Sequence, residues 1–338
     1  MQKAWINLFP VILCIMLFGA CKNKQGAGDV GNDPVFKRPA IKKITEQINE
    51  EPKNAELYFQ RGNMLHALEK DSLALSDYKK ATSLDSTKAE YFSAVGDLYF
   101  EHKDISGSVK WIQQAIKINP EDVKAHLKIA KVFLFIKDFE KGFSEVNTVL
   151  RHDVYNPEAY FLKAMMYKEM KDTAKAISNF LTSVQVSPEY RPSIIQLGQI
   201  YAWQKNPIAL QYYDNAFKLD TSDVFPLFAK GVYYKDNGNL EQAKQEYRNA
   251  IDRDPQYADA YFNMGWVYIQ QDSLEKAQHQ YNFVTKIEPD NAGAYYNRGL
   301  CSEMMHKNQD AINDYKQALV FNSKYQEAIN GLKRLGGK

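Results

Sequence analysis

Apolar positions in this chain recur every three or four residues, pause over a few polar ones, and then recur, through most of its length. In Ala258–Asn291 the first run carries Tyr261, Met264 and Tyr268, and the second carries Leu274, Ala277, Tyr281 and Val284. That spacing is helical; a strand would alternate every second residue. Between the runs lies Gln271-Asp272-Ser273, with Ser273 placed to cap the second helix. Asp104, Asp138, Asp172, Asn206 and Asn239 hold the equivalent place elsewhere, all able to accept from free N–H groups at a helix start. Pro120, Pro188, Pro255 and Pro289 follow second runs, where a helix must stop. The pattern predicts helical hairpins.

The hairpins repeat. One small residue recurs as Gly62, Gly96, Ala130, Ala164, Gly198, Gly231, Gly265 and Gly299, at intervals of 34 residues except a single 33. A second recurs as Ala74, Ser108, Gly142, Ala176, Ala209, Ala243, Ala277 and Ala311. Such a period marks a solenoid, in which each unit buries its apolar face by stacking on its neighbours. The eight units run 55–88, 89–122, 123–156, 157–190, 191–223, 224–257, 258–291 and 292–325. Ile41, Ile44 and Ile48 make one stripe within 41–54, predicting a helix that caps the first unit. Ala328, Ile329, Leu332 and Leu335 within 326–338 predict a second cap, stopped by Gly336-Gly337.

In Ala258–Asn291 the series Tyr261, Gly265, Tyr268, Ala277, Tyr281 and Pro289 resembles the tetratricopeptide repeat, with Val284 for the usual alanine. The resemblance covers residues 55–325 in eight registered copies. Ser86, Val154, Thr221 and Ser323 depart from it where proline is common, and Asn206-Pro207 shortens one turn. The third unit, with His126, Gly142, Val146 and Val154, is the least regular and is a place for a bend or a partner's entry. The resemblance implies an all-α fold: a right-handed α-solenoid of eight tetratricopeptide helical hairpins with N- and C-terminal capping helices. It also implies that function lies on an inner surface lined by places 2, 5, 6, 9, 12 and 13 of each first helix.

On that surface Phe228 and Val232, then Phe262, Trp266 and Ile269, then Tyr296 and Leu300 form an apolar strip across repeats six to eight. It is the candidate groove for a partner peptide. The plainer reading is that aromatics at the fifth place pack on the next repeat. A basic stripe, Lys124, Lys128 and Lys131, marks repeat three. Some family members clamp a C-terminal carboxylate at such places, and Asn63, Lys124 and Lys128 match them, while Phe59 and Ala94 do not. These residues are a candidate anion contact, with a solvated stripe as the alternative.

Composition narrows the function further. The 43 basic and 41 acidic residues leave a net charge of +2, which offers no electrostatic case for nucleic acid. There is no Gly-rich phosphate loop, no Cys-x-x-Cys, no His pair at i and i+4 and no nucleophile elbow. The six histidines are scattered, only His126 and His152 sharing a repeat, and most of the 22 tyrosines hold core places. No catalytic residue, metal, cofactor or small-molecule substrate is therefore expected. Cys301, without a partner cysteine, reads as a small core residue rather than a reactive thiol.

The first forty residues read as an address. Lys3, the apolar run Ile6–Phe18 and then Gly19-Ala20-Cys21 resemble a bacterial lipoprotein signal over 1–20, with Cys21 as the acylated residue. The run is short for a membrane span of roughly 20 residues, although an uncleaved N-terminal anchor is the alternative. Residues 21–40 are polar and read as a flexible tether averaging about 25 Å. Lys22 after the cysteine, rather than Asp, leans toward the outer membrane, facing the periplasm. The expected protein is a non-enzymatic scaffold, lipid-anchored in the bacterial cell envelope, holding a protein segment in its concave groove. The alternatives are a structural subunit of an envelope secretion, pilus or assembly machine packing through its convex face, and an enzyme with an unrecognised site.

Overall fold

The computed structural model describes residues 33–336, so the signal, Cys21 and the end of the C-terminal segment lie outside the described residues. All described secondary structure is helical. The chain divides into two compact units, whose described parts are residues 33–95 and 96–336.

The first unit opens with a single 3-10 turn, Pro34–Lys37, capped by the Asp33 carboxylate, which accepts from the Val35 amide at 2.8 Å. Helix α1 follows, Pro39–Glu50, with proline at its first position, where the missing N–H costs nothing. Residues 33–40 were expected to be tether; here Val35 is buried, and that apolar contact orders them. Ile41, Ile44 and Ile48 are buried on one face of α1. The first hairpin is α2 (Ala55–His66) and α3 (Asp71–Leu84), followed by the start of α4 (Ala89–Glu101). Arg61 ties the pieces together, forking onto Asp77 of α3 at 2.7 and 2.8 Å and reaching Thr45 of α1 at 3.2 Å.

The second unit continues with the rest of α4 and then α5 (Ile105–Ile118), α6 (Val123–Phe135) and α7 (Phe139–His152). Next come α8 (Pro157–Glu169), α9 (Thr173–Val186), α10 (Arg191–Trp203) and α11 (Ile208–Leu219). Then follow α12 (Phe225–Asp236), α13 (Leu240–Arg253), α14 (Ala258–Gln270) and α15 (Leu274–Ile287). The unit closes with α16 (Ala292–Met304), α17 (Asn308–Phe321) and α18 (Gln326–Arg334). From α5 onward each helix packs on the next in sequence, and first helices of successive hairpins also meet, α6 with α8, α10 with α12 and α12 with α14. That is the short-range contact pattern of a solenoid.

One contact closes each hairpin. A Cβ on Gly198, Gly231 or Gly265 would lie 2.7, 2.4 or 2.8 Å from the ring of Tyr213, Tyr247 or Tyr281 on the second helix. Gly62 stands in the same way 2.6 Å from Tyr78 in the first unit. The aromatic therefore lies directly on bare backbone. Where the second helix offers the smaller Val146, alanine is allowed at Ala130. Ala164 packs in the same cluster as Phe180, so a methyl group is accommodated beside a ring there.

The polar breaks behave less uniformly than expected. Asp104, Asp138 and Asp172 accept from the amides of Gly107, Lys141 and Lys175, as N-caps do. Ser273 and Asn239 make no such bond. The Ser273 hydroxyl donates instead to the Gln271 carbonyl, at 3.4 Å. Asn206 accepts from Ile208, because Pro207 displaces the helix start by one residue.

Repeat three is irregular because polar contacts replace its aromatic ones. His126, buried in α6, meets Glu145 of α7 at 2.5 Å through Nδ1 and the Pro120 carbonyl at 3.0 Å through Nε2.

Two expectations test this packing. Gly265→Leu drives a side chain into Tyr281 and should cost at least 1–3 kcal/mol, about the usual overpacking penalty. Hydrogen exchange should show protection lost first in α12–α17 and retained in α6–α9; a uniform loss would contradict nearest-neighbour stability. The buried hydroxyl of Tyr281 has no hydrogen-bond partner, whereas that of Tyr315 donates to Glu303. Tyr281→Phe should leave the urea midpoint unchanged or raise it, and Tyr315→Phe should lose about 1–2 kcal/mol.

Candidate functional site

The apolar strip was expected on α12, α14 and α16; α10 lies against α12, and α12 against α14. A cavity of about 310 Å³ opens there, lined by Gln199, Trp203, Phe225, Phe228, Val232 and Asp236 among others. A second, of about 460 Å³, lies beside it against Lys168, Lys171, Thr173, Gln199, Ile200 and Trp203. Trp203 is the wall they share, and it is 80% exposed.

The strip residues do two different jobs. Phe228 packs on Tyr247 and Tyr257, with ring centres 5.9 and 5.4 Å apart, and Phe262 packs edge-on against Tyr281 at 5.4 Å. Tyr296 is enclosed between Tyr315 and Tyr325, at 5.6 and 5.2 Å. The fifth place therefore serves packing between helices first, and Phe228 alone of the three also lines the cavity. Val232 and Ile269 are half-buried against the hairpin cores, and Leu300 is half-buried on α16. Trp266 is different: it is 38% exposed, with the Lys235 ammonium 5.3 Å above its ring.

Trp203 escaped the sequence reading. The signal was present, because it holds place 13 of its repeat, one of the inner-surface places, just before the shortened Asn206-Pro207 turn. Its exposure depends on what the neighbouring hairpins place against it, which the spacing alone does not show.

The candidate anion contact is already balanced by carboxylates. Lys128 meets Asp97 at 2.5 Å and Lys131 meets Glu158 at 2.5 Å, while Lys124 is exposed. Asn63 lies in the first unit, where its side-chain oxygen accepts from the Tyr78 hydroxyl at 2.8 Å.

Other charged groups hold hairpins together. Place 7 of the first helix and place 23 of the second pair as Arg61 with Asp77, Lys230 with Glu246 and Arg298 with Asp314. Arg298 is the fullest case, adding Asn282 and Thr285 at 3.1 Å each, and the Asp314 bonds hold its guanidinium above the usual pKa. It floors a polar cavity of about 510 Å³ between α15 and α17, rimmed by Glu275, His279 and Asp310. Burial pushes the Cys301 thiol up to about 12, so it stays protonated and unreactive.

Comparison with known proteins agrees with this geometry. A family profile described as "Tetratricopeptide repeat" matches residues 55–88, 157–190 and 258–291, and one described as "TPR repeat" matches 231–272. These segments are tetratricopeptide repeats. The DnaJ protein P58IPK homolog A of Oryza sativa subsp. japonica is 26% identical over 153 residues, 41% of this chain and 32% of that protein. The chain thus spans about a third of that relative's length. A tetratricopeptide repeat protein from Parabacteroides merdae superposes with a TM-score of 0.52 at 16% identity, covering 74% of this chain and 99% of that one. PilW, a type IV pilus biogenesis factor, superposes at 0.53 and 16% identity, covering 62% and 98%. At that identity the likeness shows the fold alone. Tetratricopeptide repeat proteins are typically protein-interaction scaffolds.

Proposed function

We propose that this protein is a non-enzymatic scaffold that holds a segment of a partner protein across α10, α12 and α14. The carrying observation is the cavity beside Phe228 and Val232, walled by the exposed indole of Trp203, with a second exposed indole, Trp266, on the next first helix, α14. Indoles offer large apolar area with few rotatable bonds, and apolar side chains of an extended or helical segment would be buried between them. Packing uses Phe262 and Tyr296 inside the stack, so the contact centre lies nearer repeat five than the sequence strip alone implied.

A second reading, a structural subunit of an envelope machine docking through the second helices, is supported by the polar cavity between α15 and α17. The fold likeness to PilW is compatible with it.

Capture of the partner separates the two. Truncated aromatic anchors commonly cost about 2 kcal/mol or more, near thirtyfold in affinity. Trp266→Ala should weaken capture by that order while helical content stays unchanged. Lys128→Glu, on the balanced basic stripe, should matter much less at ordinary salt. Normal binding by Trp266→Ala with loss on reversing Glu275 and Asp310 would move the site to the second-helix face.

We also propose lipid attachment at Cys21 and a place on the outer membrane facing the periplasm, supported by Lys3, the apolar run to Phe18 and Gly19-Ala20. Cys21→Ala should abolish incorporation of labelled fatty acid and release the chain from the membrane fraction. Unchanged labelling and fractionation would refute the attachment.

A further inference from the structure

Every hairpin turns at the same residue, place 15, and there the backbone is left-handed. Glu69, Lys103, Lys137, Lys171, Lys205, Asp272 and His306 have φ between 52 and 63°, and Gly238 completes the series at 78°. Glycine or asparagine adopts this conformation at lower cost than lysine. Four consecutive repeats nevertheless present lysine, and all four side chains are exposed. Because the hairpins stack in register, these turns form one row along an edge of the second unit.

At three of these turns, those of Lys137, Lys171 and Lys205, an apolar side chain one or two places before the lysine stands out into solvent. Phe135 is 59% exposed, Ile136 43%, Met170 50% and Trp203 80%. Phe133 and Ile200, two and three residues earlier in the same helices, are buried in the core. Most carboxylates nearby are engaged, Glu140 of α7 excepted. Asp138 and Asp172 cap helices and hold Lys141 and Lys175, and Glu169 holds Lys137 at 2.9 Å. Among the described residues Lys103, Lys171 and Lys205 form no ion pair, so the row keeps free positive charge.

We propose that this edge docks on an anionic lipid surface. Phe135, Ile136, Met170 and Trp203 enter the headgroup layer, and Lys103, Lys137, Lys171 and Lys205 meet its phosphates. Apolar tips beside lysines are the chemistry of an interfacial contact, in which aromatic rings sit at headgroup depth and lysine stems lie along the boundary. Phe135, Ile136 and Met170 project from the turns outside the two cavities, and Trp203 stands at the wall of both; a fluid headgroup layer accepts such tips without a matching pocket. The edge contact rests neither on the groove reading nor on an anchor at Cys21.

Quenching of Trp203 tests it in the full chain. With Trp5, Trp111 and Trp266 replaced by Phe, Trp203 is the sole indole, and its emission reports this edge wherever residues 1–32 reside. On vesicles of phosphatidylcholine and phosphatidylglycerol with brominated acyl chains, the emission should shift to the blue and be quenched. Vesicles of brominated phosphatidylcholine alone, or roughly 1 M salt, should leave it largely unquenched. Each reversal among Lys137→Glu, Lys171→Glu and Lys205→Glu should lower the docking constant roughly fivefold or more, so the triple variant should not respond. Glu69 already holds the same backbone conformation in repeat one, so glutamate fits at these turns. The unmodified chain gives an independent reading by amine-reactive labelling. Lys171 and Lys205 should be protected by the anionic vesicles, while Lys324, between α17 and α18, stays reactive. Unchanged emission and labelling on anionic vesicles would overturn the proposal. So would protection by soluble polyglutamate without any Trp203 quenching on vesicles, which would assign the edge to an acidic protein segment.

Discussion

A tyrosine ring laid on the bare backbone of a glycine is the contact on which these hairpins depend. It brings the two helices so close that Tyr213, Tyr247 and Tyr281 leave no room for a Cβ opposite them. The ring supplies a large apolar area at a single point, and the neighbouring hairpin covers its other side; Gly331 of α18 lies within 2.4 Å of Tyr315 by the same measure. The arrangement has a polar cost: Tyr247 and Tyr281 bury hydroxyls without a partner, while Tyr78 and Tyr315 find Asn63 and Glu303. Burial raises the pKa of Tyr315 and the Glu303 bond adds to it, so the phenol stays neutral.

The same closeness makes charge tolerable inside a hairpin. Arg61, Lys230 and Arg298 sit one residue before the glycine, and each faces a carboxylate one residue before the aromatic. Such a pair is partly withdrawn from water, and removing one member would strand the other. Titratable groups that could have suggested chemistry are thereby engaged in structure. His126 with Glu145 belongs to this group as well, and its polar contacts explain why the third repeat lacks the usual aromatics.

Repetition decides what the surface can offer. A residue at one place in every repeat becomes a row, so the ninth and thirteenth places make the face with Trp203 and Trp266, and the fifteenth makes the row of lysines. The core contact is thus also the ruler that spaces the exposed side chains.

The sequence by itself determined the helical period, the tetratricopeptide register and the small–large pairs across each hairpin. These depend on residues close in sequence, where a 3.6-residue spacing and a missing Cβ can be read directly. It also marked Phe228, Val232 and Trp266 as facing one side, since a helix's face follows from spacing. Exposure was decided only by the tertiary structure. Phe262 and Tyr296 share a place with Phe228 and differ from it in whether a neighbouring ring covers them. The lysines of repeat three looked free until Asp97 and Glu158, from adjoining repeats, came within 2.5 Å. Likewise Val35 ordered a stretch whose composition read as tether, and Trp203 was left uncovered at the edge of two cavities. Which side of a residue meets water depends on what the next hairpin places against it, and that distance is not written in local spacing.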